Sequence, residues 1–161
     1  MARLTTNFNF LSPTGFRLTI NRNKFANVEY FITGFSIPSI SMGEVTERFR
    51  GHTSFQAGDT VGYDALSIRF AIDEDMNNYT EIFDWMINNR DSGRNPLAGD
   101  QQVSDMILTV LTNHNNVNKE FQFMDAFPTS LSGAEFTTQA TDVEYLQADV
   151  TFRYNEFKII K

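Results

Sequence analysis

"DALSIRFAIDEDMNNYTEIFDWMINN", residues 64–89, changes its period halfway, and that change decides the fold. In the first part Leu66, Ile68, Phe70 and Ile72 alternate with Ser67 and Arg69, as in a strand with one buried face. In the second, Tyr79, Ile82, Phe83, Met86 and Ile87 recur at i, i+3, i+4, i+7 and i+8, the stripe of an amphipathic helix. The helix is expected over 77–89, with Ile82, Phe83 and Met86 on the sheet and Glu81 and Asp84 outward. Asn78 followed by Glu81 resembles a capping box at its start.

Outward from this unit the signals are those of strands. "FRLTI" (16–20) and "VEYFI" (28–32) alternate across a polar turn and predict a hairpin. "MILTVLT" (106–112) and "VNKEFQF" (117–123) flank Asn113-His114-Asn115-Asn116, a second hairpin whose asparagines tolerate positive φ. Near the end Val150, Phe152 and Tyr154 alternate, and Phe157 shifts the parity, which places a bulge near Asn155. Two stretches, "FSIPSISMG" (35–43) and "FPTSLSG" (127–133), combine Phe, Pro, Ser and a closing Gly. They are expected to be corners where Pro38 and Pro128 stop ladder pairing. The pattern is six or more strands and one internal helix without a βαβ rhythm. It predicts a mainly β fold: a β-barrel-like sandwich of antiparallel strands with one flanking α-helix. The 161 residues are expected to form a single domain, 1–161.

Residues 42–61 stand apart. Gly43, Gly51, Gly58 and Gly62 interrupt a mixed polar and aromatic run, either a long loop or an extended hairpin arm with its tip near Arg50-Gly51-His52. Val45, Phe49 and Phe55 are large apolar residues to leave in water, and Glu44, Glu47, Arg48 and Arg50 can pair across an interface. If the arm reaches outward, these seven residues are its contact set. If it folds back, the same aromatics are buried in its own core.

Composition limits the chemistry. There are no cysteines, which removes disulfides, thiolate metal sites and cysteine nucleophiles. The net charge is −7 with the 13 basic residues scattered, which argues against a DNA-binding protein held by clustered Lys/Arg. No apolar run approaches bilayer length and "MARLTTNFNF" has no signal-peptide core, so no membrane anchoring by this chain is expected. Asp73, Asp75 and Asn77 alternate as in a calcium loop, but Asn78 replaces the required Gly and Asp84 the final Glu. Acidic residues favouring a helix N-terminus account for them better. His52 and His114 lie in separate turns without metal spacing, and Ser130 and Ser132 do not form a nucleophile elbow. Phe121, Phe123, Phe127 and Phe136 could stack nucleic-acid bases, but Glu120, Asp125 and Glu135 beside them favour core packing. No catalytic, metal or cofactor-binding residues are assigned, and no cofactor is expected.

"FQFMDAFPTSLSGAEFTTQATDVEYLQADVTFRYNEFKI" (121–159) resembles the tail tube proteins of contractile-tailed bacteriophages. The segments "FITGFSIPSISMGEV" (31–45) and "LSIRFAIDEDMNNYTEIFDWM" (66–86) carry the same resemblance in the same order, so it covers roughly 16–160. It implies a non-enzymatic virion protein of the phage tail, assembled in the host cytoplasm. Six copies would form a ring, and rings would stack into a hollow tube for DNA delivery. The implied partners are other copies, a tail sheath outside, a tape-measure protein and transient DNA inside, and baseplate and tail terminator at the ends. A baseplate or tube-initiator protein of the same fold is the nearest alternative. An enzyme or ligand-binding domain is a third, for which the sequence offers no converging polar groups. On the sheet face opposite the core, Ser67, Arg69, Asp149, Thr151 and Arg153 are candidates to line the channel, or else to face the sheath.

Overall fold

The computed structural model describes residues 11–20, 31–94, 103–137 and 145–160. Its elements are β1 (Phe16–Thr19), β2 (Ile32–Ser36), β3 (Ile40–Phe49), β4 (His52–Tyr63), β5 (Leu66–Ala71), α1 (Asn77–Arg94), β6 (Ser104–Leu111), β7 (Val117–Leu131), β8 (Gln147–Arg153) and β9 (Glu156–Ile159). The chain is mainly β. An antiparallel seven-stranded sheet runs β1-β6-β7-β8-β5-β2, with β9 also on β7, and β3 and β4 form a separate two-stranded sheet.

The long strand β7 makes the sandwich. Its first half pairs with β6 and β9, and its second half pairs with β8. The hand-over falls at Asp125, which has a positive φ of 53°. The Asp105 carboxylate accepts from the Asp125 amide, and Asn155 Nδ2 donates to the Asp125 carboxylate at 3.0 Å. Asn155, in the break between β8 and β9, thereby locks the bend of β7.

The sheet then curls back on itself. Its two end strands, β1 and β2, meet through an edge-to-face contact of Phe16 and Phe35, ring centroids 4.9 Å apart. The hairpin expected from residues 16–32 is therefore corrected. β1 pairs with β6 and β2 with β5, so the two strands come together across a side-chain seam. Residues 28–30 of the expected second strand lie outside the described residues.

Strand alternation fills the interior. Leu66, Ile68 and Phe70 of β5 face Val150 and Phe152 of β8, Leu18 of β1, Met106 and Leu108 of β6, and Phe123 of β7, all buried. Helix α1 adds Ile82 and Trp85, with Trp85 against Phe152 at a centroid distance of 5.8 Å. The expected helix face is off by part of a turn. Trp85 is buried, whereas Phe83 is 50% exposed. Asn78 is buried too, because its Nδ2 donates to the Ala71 carbonyl and its Oδ1 accepts from the Asp73 amide. The Asp73 carboxylate accepts in return from the Asn78 amide, a first-turn N–H of α1, and because the helix already begins at Asn77, Asn78 is not the N-cap that the expected box needs.

One corner holds and one does not. Pro38 lies between β2 and β3, outside both ladders. Pro128 sits inside β7, buried and opposite Phe152, at a register shift between Pro128 and Ser130. Among the described residues, β7 pairs there with β8 alone, and an edge segment at a register shift is where a strand tolerates proline.

Candidate assembly surfaces

Residues 42–61 form neither a loop nor a segment folded onto the core. They lie within a two-stranded antiparallel arm, β3 on β4, whose residues are almost all exposed. The tip is a two-residue turn. Arg50 (φ 39°) and Gly51 (φ 85°) both take positive φ, as the tight hairpin turns matched to strand twist require.

The arm leaves the body from a fixed base. The Asp64 amide donates to the Ser39 carbonyl at 3.1 Å, and the Ser39 hydroxyl bonds the Asp64 carboxylate. Tyr154 Oη donates to the Asp64 carbonyl at 2.7 Å, and an Arg153 guanidinium nitrogen donates to the Tyr63 carbonyl at 3.4 Å. The Tyr63 ring packs on Phe157 with centroids 5.4 Å apart. Burial, then the charge of Asp64, pushes the Tyr154 phenol up to about 12.

Cross-strand partners share a face, and the register sorts the arm accordingly. Met42 stands opposite Val61 and Ile40 opposite Tyr63, which makes an apolar patch near the base. Thr46 faces Phe55, Arg48 faces Thr53, and Glu44 faces Ala57. Val45 opposite Gln56 and Phe49 opposite His52 alternate with these and project the other way. Phe49 is 76% exposed and Phe55 66%, and Glu44, Val45, Glu47, Arg48 and Arg50 are exposed with them. Gln56 Nε2 donates to Glu47 at 3.4 Å across the strands. Sequence reasoning missed Ile40, Met42 and Val61, all exposed. The alternation of Ile40-Ser41-Met42 was the available signal.

The five residues proposed to line a channel are gathered by β5 and β8. Ser67 pairs with Thr151 and Arg69 with Asp149, on the face away from the core. Arg153 pairs with Phe127 on β7, at the arm's base. Arg69 Nε donates to Asp149 Oδ1 at 2.8 Å, with a longer second contact of 3.4 Å. That bond and the carboxylate's charge raise the Arg69 pKa further. A polar depression of about 420 Å³ opens beside the pair, lined in part by Thr33, Ser36, Ser67 and Gln147.

His52 and His114 are exposed and far apart in the chain, and among the described residues no three His, Asp or Glu side chains converge as a metal site would. Phe123 is buried and Phe136 is 74% exposed, so the four phenylalanines weighed as a stacking platform do not form one surface. No described helix is long and apolar enough to cross a membrane.

Solved structures share this architecture at low identity. A chain of the sheath/tube terminator of an extracellular contractile injection system, PVC, in the extended state is 16% identical, with 98% of this chain and 100% of that chain covered and a TM-score of 0.69. A chain of the PVC sheath–tube complex in the extended state is 15% identical, with 96% and 93% covered and a TM-score of 0.69. The tube-terminating cap of the anti-feeding prophage is 14% identical, with 98% and 95% covered and a TM-score of 0.67. No curated protein sequence matches the chain. A family model for phage tail tube proteins matches residues 4–160. That match spans the curled sheet, the flanking helix and the arm, and the chain belongs to the phage tail tube protein family, a family of structural tube components and not of enzymes.

Proposed function

We propose that the chain assembles with copies of itself into hexameric rings that stack into a hollow tail tube, through which phage DNA is delivered. The observation that carries this reading is the arm. A two-stranded ribbon is marginal alone in water, and this one exposes apolar side chains on both faces. Burial against neighbouring subunits is what such a ribbon needs, and Glu44, Val45, Glu47, Arg48, Phe49, Arg50 and Phe55 supply the contacts. The β5–β8 face with Ser67, Arg69, Asp149, Thr151 and Arg153 then lines the bore. A sheath surrounds the tube, a tape-measure protein occupies it during assembly in the host cytoplasm, and baseplate and terminator close its ends in the virion. Negative-stain microscopy of the purified chain tests the assembly. Six-fold rings or tubes are expected, and a strictly monomeric species at high concentration, even with tail components added, would overturn it.

A second reading keeps the fold and changes the place: a baseplate, initiator or other end-of-tube protein. It is favoured by one observation: two of the three solved structures named above are a sheath/tube terminator and a tube-terminating cap, at TM-scores of 0.69 and 0.67. Such a protein forms single rings and stops, whereas a tube subunit elongates.

A further inference from the structure

The proposed bore face carries two arginines and one aspartate among its five residues, so it is not acidic by itself. Arg69 is the cation best placed to hold an anion. It borders a depression that also offers the hydroxyls of Ser36 and Ser67, and Gly34, its cross-strand partner, leaves the space above it open. A planar guanidinium fork fits carboxylate and phosphate alike. Here the fork is filled by Asp149, held opposite it by the β5–β8 register at 2.8 Å and 3.4 Å.

We propose that the depression beside Arg69 is a phosphate site kept closed by Asp149, so that a nucleic acid passing along this face is not gripped. The closure follows from the pair and the depression alone. Its use during DNA passage rests on the bore reading above. Asp149 competes as a tethered carboxylate, present at high local concentration, against phosphates that arrive from solution. The backbone of Asp149 is held separately. Its amide donates to the Ser132 hydroxyl and its carbonyl accepts from the Ser132 amide, so removing the carboxylate leaves the strand in place.

The test uses the full chain with Asp149→Asn, Asp149→Ser and Asp149→Asn/Arg69→Gln. First, a fluorescein-labelled linear DNA duplex is titrated against unassembled protein across a salt series. Either single variant is expected to bind more tightly than the parent. Its log–log salt slope should be steeper by about one, the change that one additional neutralised phosphate produces. The double variant returns to the parent's slope. Single variants with the parent's affinity and slope overturn the closure, and so does tighter binding that persists without Arg69. Second, assembled tubes of Asp149→Asn are mixed with linear or covalently closed circular DNA. Retention of linear DNA alone supports the bore. Equal retention of circles, which cannot thread a tube, puts Arg69 on the outer wall and overturns the bore reading while the closure stands.

Discussion

Gly58 lies against Gly43 so closely that a Cβ on Gly58 would stand 2.6 Å from the Gly43 carbonyl oxygen. The obstacle is backbone and cannot rotate away. The register explains the approach: Met42 pairs with Val61 and Glu44 with Ala57, so Gly58, Asp59 and Thr60 crowd opposite Gly43 alone. This bulge separates the apolar base of the arm from its tip. Gly58→Val should push the strands apart there. Because the arm lies outside the core, thermal unfolding of the body is expected to change by less than about 0.5 kcal/mol. Assembly, scored by tube length in micrographs, is expected to fall sharply. Tubes of parental length from Gly58→Val would show that the bulge does not shape a contact.

Trp85 and Phe83 give opposite expectations from the same helix. Trp85 is 1% exposed and packs on Phe152, and Trp85→Ala should cost about 3–5 kcal/mol in denaturant unfolding. Phe83 is half exposed, and Phe83→Ala should cost no more than about 1 kcal/mol. A reversal of the two values would put the helix on its other face.

The strand–helix unit was legible because its signals are local. A period of two over Leu66–Phe70 and of 3.6 over Tyr79–Met86 requires no knowledge of distant partners. The helix face was misjudged at Asn78, a polar residue buried because Ala71 and Asp73 satisfy it, which shifts the stripe toward Trp85. Strand pairing was not legible where it is remote. Nothing in "FRLTI" says that Phe16 lies opposite Val110, and adjacency in sequence favoured the wrong partner. Pro128 misled for a related reason: proline ends a ladder only where its N–H would be used, and the partner pattern of β7 decides that. At the arm, glycines and exposed aromatics marked the assembly candidate, but the Met42–Val61 patch needed the register.

Tyr154 should make stability depend on alkaline pH. Its phenol is held protonated by burial and by the nearby Asp64 charge, with a folded pKa of about 12 against an ordinary 10. A raised pKa means the unfolded chain releases this proton first. The contribution of Tyr154 is therefore complete below about pH 10 and is lost as pH rises through about 12. Melting temperature should fall more steeply over that interval in the parent than in Tyr154→Phe. Parallel curves would mean that Tyr154 ionises alike in both states.

The arm's contribution can be separated from the core's by shortening it in register. Glu47 pairs with Ser54, so replacing residues 48–53 with Asn-Gly rejoins the strands through a two-residue turn of the kind already present at Arg50-Gly51. The change removes Arg48, Phe49 and Arg50 but keeps Glu47, Ser54 and the bulge. None of the lost residues belongs to the buried cluster, so a folded monomer with a parental melting temperature is expected. Loss of tubes from that folded monomer would place the assembly energy at the tip. Rings that form but do not stack would assign the tip to contacts between rings and leave the base patch of Ile40, Met42 and Val61 to contacts within a ring. Tubes of normal length would mean that the tip is not an assembly element, and an unfolded product would mean that the arm stabilises the body it leaves.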